Sequence, residues 1–311
     1  LDGFNGTSNS NESYLLLSRH DGDLKEGVVE LVNLTNFKVL HTWNPDIDTF
    51  NKSVKKINLF KNLNRDKNDS RSRLFHPKLT KDGGLLFHSG PLRKIDACSN
   101  LIFQNQDDWF HHSLETDVEG NIWAASHFYP QSLEANKVGR VAIDEDGYYD
   151  DAIVKLAPDG EILFEKSVSQ IFIDNGLEYL LFAHGPKYTR DPIHLNDIQP
   201  VNFTGEFWKK GDLFLSLREQ SMVILYRPSN NKIIWYKQFP WELQHDVDIL
   251  DETRISVFNN NRLRNKFDKD KKYNDMMIYD FEKDEIKYVF KKEFDKFKIQ
   301  TIGEGLADLY K

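Results

Sequence analysis

The sequence predicts an all-β protein: a β-propeller of four-stranded blades. Three observations predict it. Aromatic residues are abundant, with 22 Phe, 12 Tyr and 6 Trp, and such rings pack well on pleated surfaces. Segments with the period-2 alternation of half-buried strands recur throughout. Helical periodicity is nearly absent.

The repeat appears first as hairpins. They read VVELVNLTNFKVLHTW (28–43), PLRKIDACSNLIFQNQ (91–106), AIVKLAPDGEILFEKS (152–167), MVILYRPSNNKIIWYK (222–237) and MMIYDFEKDEIKYVFK (276–291). Each alternates, turns at Gly, Asn, Asp or Ser, and alternates again. Their starts lie about 55 to 70 residues apart. Between them runs a second element that opens at or near a histidine. Its copies are FHPKLTKDGGLLFHSG (75–90), HHSLETDVEGNIWAASH (111–127), IHLNDIQPVNFTGEFWKKGDLFLSLR (193–218) and QHDVDILDETRISVFNN (244–260). Together they make four-stranded units, the sequence mark of propeller blades. About five are read directly. A sixth is expected from the two chain ends, closing residues 1–311 into one domain, and GEGLADLYK (303–311) reads as the start of another unit.

Other segments are read more briefly. Residues 165–185 are the best helix or lid candidate, 50–73 read as an exposed polar loop, and 131–151 as a lid or plain loop. The acidic run from Asp144 to Asp151 leaves a cation-binding loop as the alternative.

Composition excludes several functions. With 49 acidic against 41 basic residues the net charge is −8, a surface that repels nucleic-acid phosphates. No apolar run reaches the eighteen residues that suggest a membrane span. The single cysteine, Cys98, precludes an internal disulfide and a thiolate metal cluster, and reads as a buried or idle thiol. The first residue is Leu1, which reads as a trimmed start with any signal peptide already lost. Of six Asn-x-Ser/Thr triplets in so asparagine-rich a chain, most read as chance.

The histidines are the candidates for chemistry. Aligned on their strands, His76, His112, His194 and His245 occupy one repeat position. Equivalent positions of propeller blades lie on a ring, so a ring of imidazoles can face one small ligand. Three histidines make a catalytic zinc site, but no H-x-H or H-x-x-x-H pair supplies a local chelate, and neither metal nor cofactor is expected. His111 and His112 are adjacent, and in an extended strand their side chains point apart. Arg218 follows a strand near the His194 element, and a guanidinium beside imidazoles suits sulfate, phosphate or carboxylate.

In order along the chain, His111-His112, His194-Leu195-Asn196, Ser216-Leu217-Arg218, and Gln244-His245-Asp246 followed by Phe258-Asn259-Asn260 resemble the motifs of bacterial-type aryl sulfotransferases. The resemblance spans residues 75–311. It implies a six-bladed propeller that moves a sulfuryl group from an aryl sulfate to a phenol through a sulfohistidine, without adenosine phosphosulfate. It also implies export to the periplasm or another extracytoplasmic place. Carried over by motif, His245 is the nucleophile, His194 and Arg218 hold the sulfuryl oxygens, and His112 completes the pocket. His111, His76, Asn196, Asn260 and Trp241 are the substrate-binding candidates. Asp246, next to the nucleophile, is a candidate for setting its tautomer. Trp109, Phe110, Phe128, Tyr129, Trp208 and Phe239 also flank the motifs as rings for an aryl group. Two other functions fit the same pocket: hydrolysis or elimination of another small anion, and non-catalytic anion capture. A quinone-dependent dehydrogenase is weaker, since its periodic Trp-docking repeats and calcium set are missing.

Overall fold

The computed structural model describes residues 7–133, 148–181, 190–262, 273–301 and 303–309. The chain divides into two compact units, 1–114 and 115–311, each with its own apolar cores. The described strands are antiparallel and form sheets of three, seven, four and four strands. All nine elements read from the sequence appear where the alternation places them. Six separate four-stranded blades are not counted out by these sheets.

In the first unit, β1 (Tyr14–Asp21), β2 (Glu26–Asn33) and β3 (Lys38–Trp43) form a meander. The turn after β1 is set by Asp21, whose carboxylate accepts the Asp23 and Leu24 amides at 2.9 and 3.0 Å; such side-chain-to-backbone bonds are what make Asp a turn residue. Next come β4 (Phe75–Leu79), β5 (Leu85–His88), β6 (Gly90–Ile95) and β7 (Leu101–Thr116), whose end carries the chain into the second unit. Residues 50–73 correct the sequence expectation of an exposed loop. They include short helices, α1 (Ile47–Lys52) and α2 (Leu63–Asp66), and bury Val54, Phe60 and Leu63 beneath a polar majority. A few apolar residues spaced through a Lys- and Asn-rich segment suffice, because only the inward positions need be apolar. Cys98 is exposed rather than buried.

The second unit begins with β8 (Ile122–His127), β9 (Asp151–Leu156) and β10 (Ile162–Ser167). The expected helix follows as α3 (Val168–Asp174), capped by Ser167 Oγ on the Gln170 amide at 3.1 Å. Further along the 165–185 candidate, Glu178–Leu181 form a short 3₁₀ turn, and residues 182–185 lie outside the described residues. Most of the lid candidate, 134–147, lies outside the described residues. Two four-stranded ladders complete the unit. One is β11 (Leu195–Pro200), β12 (Leu213–Leu217), β13 (Met222–Arg227) and β14 (Lys232–Gln238). The other is β15 (His245–Ile249), β16 (Arg254–Asn259), β17 (Asp275–Asp280) and β18 (Glu285–Val289), followed by α4 (Lys291–Phe297).

The middle strands are buried on both faces; every residue of β12 (LFLSL) is inaccessible. Each such Leu or Phe stabilises the fold by about 1.5–3 kcal/mol. The outer strand β14 alternates exposed and half-buried residues. Trp208 and Trp241 lie in the core with Phe214, Val247 and Val257. Trp241 is wholly enclosed, which makes it a packing residue rather than the wall of an aryl pocket.

Candidate active site

The first strand of a ladder carries an irregularity that matters for register. In β15, His245 pairs with Phe258, the chain bulges at Asp246, and pairing resumes with Val247 opposite Val257. In β11, Leu195 pairs with Leu217 before a bulge at Asn196. In β4, Phe75 pairs with His88 before a bulge at His76. The place of His245 is thus held by Leu195 and Phe75 in the other ladders. His76 falls in the bulge and His194 precedes its strand. Strict equivalence of the four histidines is therefore corrected: a bulge adds a residue that counting from the sequence misses. The backbone is left-handed at His76, His112, His194 and Asp246, with φ of 42°, 57°, 56° and 53°. Non-glycine residues there are uncommon and mark places worth a functional question.

In the first unit, the left-handed turn at His112 breaks the alternation expected of a strand. The rings of His111 and His112 consequently meet instead of pointing apart, Nδ1 to Nδ1 at 2.8 Å and edge to face. His88, not singled out from the sequence, donates from Nε2 to the His112 carbonyl at 2.6 Å and stacks on Phe75.

The second unit gathers the other motif residues. Arg218 N–H donates to the His194 carbonyl at 3.0 Å, so the two residues extend the β11–β12 ladder side by side. The head of β15 is stitched to this ladder. Asn196 Nδ2 donates to the Gln244 carbonyl at 2.7 Å, and Gln244 Nε2 donates to Ser216 Oγ at 3.1 Å and the Met222 carbonyl at 3.0 Å. Asn196, a substrate-binding candidate, thus holds the residue before His245 in place. Arg218 forms an ion pair with Glu219.

His194 and His245 lie within electrostatic reach of each other and of Arg218, yet their environments oppose. Burial disfavours a charge on His194, but Asp191 Oδ2 accepts from its Nδ1 at 2.5 Å, and Asp191 and Asp151 together raise its pKa above the ordinary value. Asp151 also accepts the His194 backbone amide at 2.9 Å and pairs with His127 Nε2 at 3.2 Å. Its own pKa is raised, first by burial. His127 stacks on Tyr149 with centroids 4.8 Å apart. His127 and Asp151 offer nitrogen and oxygen donors of the kind a metal ion accepts.

His245 is enclosed, with 2% exposure. Burial, with Arg218 and His194 adding to it, drives its pKa down to about 4 despite a hydrogen bond to Asn260. The ring is therefore neutral at pH 7. Its Nδ1 donates to Asn260 Oδ1 at 2.8 Å, and its Nε2 accepts the Glu304 backbone N–H at 3.0 Å. Asp246 does not reach the ring as expected. It turns away and accepts the Ala307 amide at 2.6 Å, and burial raises its pKa well above the usual carboxylate range.

The run Asn259-Asn260-Asn261 ends β16 with three separate tasks. Asn259 accepts the Glu242 amide at 2.7 Å. Asn261 Nδ2 donates to Asp275 at 2.8 Å. Asn260 holds His245, and its Nδ2 donates to Thr301 Oγ1 and the Glu304 carbonyl, both at 3.0 Å. Sequence reasoning missed Asp191, Thr301 and Glu304. Asp191, three residues before His194 in DPIH, carried a signal, since that spacing lets a turn bring carboxylate to ring.

A scaffold that sets a buried neutral imidazole near a second imidazole of raised pKa and a guanidinium is suited to moving an anionic group between acceptors. The chain belongs to the arylsulfotransferase (ASST) family, whose sequence profile matches residues 76–309, and is an arylsulfotransferase-like transferase. No curated protein matches it by sequence. Among solved structures, a protein of unknown function from Bacteroides caccae aligns with a TM-score of 0.50 at 12% identity, over 90% of this chain and 73% of that one. The β-propeller domain of Cps50 (Swd1) from Myceliophteria thermophila aligns at 0.43 and 8% identity, over 89% and 67%. At 12% identity the first likeness concerns the fold alone. No helix among the described residues is long and apolar enough to cross a membrane.

Proposed function

We propose that the chain transfers a sulfuryl group from an aryl sulfate to a phenol through a sulfohistidine at His245. The observation that carries this is the state of His245: a neutral imidazole with its proton on Nδ1 and its lone pair on Nε2. Neutral imidazole is a competent nucleophile, and a pKa of about 4 keeps it so across the physiological range.

In the first half-reaction Nε2 attacks sulfur, the N–S bond forms and the S–O(aryl) bond breaks. The departing aryl oxygen takes a proton from His194, whose Nδ1 is committed to Asp191, so the proton comes from Nε2. In the second half, the acceptor phenol returns a proton to His194, its oxygen attacks sulfur, and the N–S bond breaks. Arg218 faces the charge on the sulfuryl oxygens, where a guanidinium is effective. Before attack, the Glu304 N–H must leave the His245 lone pair, a loss of about 0.5–1.5 kcal/mol. The ladders are proposed as blades of a six-bladed propeller working outside the cytoplasm, which cell fractionation checks.

Protein incubated with 4-nitrophenyl sulfate and phenol should release nitrophenol and form phenyl sulfate. Mass spectrometry of protein quenched after exposure to donor alone should find the added sulfuryl group on His245. Nitrophenol release without phenyl sulfate points instead to hydrolysis, and turnover with no adduct on His245 removes the nucleophile assignment.

A further inference from the structure

We infer that Asn260 is a positioning residue whose amide oxygen fixes the proton of His245 on Nδ1, so that Nε2 presents its lone pair; this role rests on the sulfuryl transfer proposed above. A neutral imidazole has two tautomers, and only one leaves Nε2 nucleophilic. Which one forms is decided by the partner of the other nitrogen.

That partner has a defined orientation. Asn260 Nδ2 donates to Thr301 Oγ1, and the Thr301 hydroxyl donates onward to the Glu304 carbonyl at 2.8 Å. Asn260 Nδ2 also donates to that carbonyl directly. If the amide were reversed, its oxygen would face the carbonyl oxygen of Glu304 and its NH₂ would face the ring. The chain of donors therefore turns Oδ1 toward His245, and an oxygen there can only accept. Nδ1 must supply the proton. The Glu304 N–H on Nε2 is an independent sign of the same tautomer, because a donor needs a lone pair to meet. Asn260 is 1% exposed, so water does not compete for these bonds.

The choice of an amide over a carboxylate has a chemical consequence. A carboxylate at this place would favour the imidazolium, which is not nucleophilic. An amide accepts the same proton without that charge. When sulfur joins Nε2 the ring becomes positive while Nδ1 keeps its proton. The Asn260 oxygen then accepts a stronger, charge-assisted bond. One contact thus serves both the resting ring and the intermediate.

Three variants test this alongside wild type: Asn260→Ala, Asn260→Asp and Thr301→Val. Spectra of ¹⁵N-histidine-labelled protein, with His245 assigned by its loss in His245→Gln, report the tautomer without reference to turnover. Wild type should carry the proton on Nδ1, and Asn260→Ala should add the Nε2–H form. Its kcat should fall about 10–100-fold with KM within about twofold. Asn260→Asp should move the acid limb of the pH–rate profile up by about one to three pH units. Thr301→Val removes one of the two acceptors that hold the amide NH₂, the Glu304 carbonyl remaining, and should give a smaller loss in kcat with less tautomer mixing than Asn260→Ala. Should Asn260→Ala fail to fold, Asn260→Asp decides the question. A wild-type proton on Nε2 overturns the inference. So does an unaltered tautomer in Asn260→Ala, a Thr301→Val effect larger than that of Asn260→Ala, or an unmoved acid limb in Asn260→Asp. If instead His245→Ala retains full turnover, the proposed function fails, and the tautomer spectra still report on Asn260 separately.

Discussion

The heads of β11 and β15 present a half-buried and a buried histidine to the same neighbourhood, yet the chain supports them in opposite ways. His194 is backed by a carboxylate, Asp191, and is raised toward the charged form. His245 is backed by an amide, Asn260, and sinks to about 4. Neither difference is visible in the imidazoles themselves. Burial works against charge on both rings. Asp191 and Asp151 outweigh it at His194, which is thereby suited to giving a proton, while the Asn260 amide does not outweigh it at His245, which stays neutral and can attack. Paired groups pushed apart in pKa are how one site does acid and base work at one pH.

The comparison can be broken most decisively at His245. His245→Ala should lower nitrophenol release at least about a thousandfold, as loss of a covalent nucleophile does; retained release would make the two histidines interchangeable. Arg218→Ala should cost about a hundredfold in kcat, and Arg218→Lys should recover part of it as a point charge without the fork. Activity of both variants near wild type would remove the guanidinium from the reaction.

A smaller effect appears in stability. His245 has a folded pKa below its unfolded value, so the unfolded chain binds more protons as the pH falls from about 6.5 toward 4. Stability should drop through that window, by about 2 kcal/mol at pH 5 relative to neutral pH. His245→Gln should flatten this part of a urea-denaturation pH series, and an unchanged slope would contradict a neutral buried ring. His194 has the opposite sign. Its contribution is complete below pH 6.5 and is lost as the pH rises through its raised folded pKa. Finally, Asp191→Asn should reduce kcat about tenfold and move the basic limb of the rate profile to lower pH. A fixed basic limb would assign the proton transfer to another group.

Much of the scaffold was legible because strands that bury one face leave period-2 alternation in the sequence. The hairpins at 152–167 and 222–237 appear as β9–β10 and β13–β14. The helix at 168–174 falls inside the 165–185 candidate, a stretch where alternation stops. His194, Arg218 and His245 were legible through the order of their motifs. Their partners were less so. Asp246 is next to His245 in sequence, but the bulge sends its carboxylate to Ala307. Glu304 lies 59 residues away and acts through its backbone, which no side-chain pattern encodes. Trp241 and Trp208 flank the motifs and could be read as pocket walls or as core, and burial places them in the core. Bulges also shifted His76 out of step with His245, a one-residue effect that strand counting cannot detect.

The contact between Glu304 and His245 is made by a main-chain amide, at a residue whose φ is 73°. Its side chain has no part in that bond. The Glu304 charge still acts on the ring, working against the fall in the His245 pKa, and proline at 304 would abolish the donor outright. Gly305 admits no side chain, because a Cβ there would stand 2.1 Å from the Phe258 ring. In this corner of the molecule, one residue meets the reactive nitrogen through its main chain, and its neighbour keeps the aromatic ring in place by having no side chain.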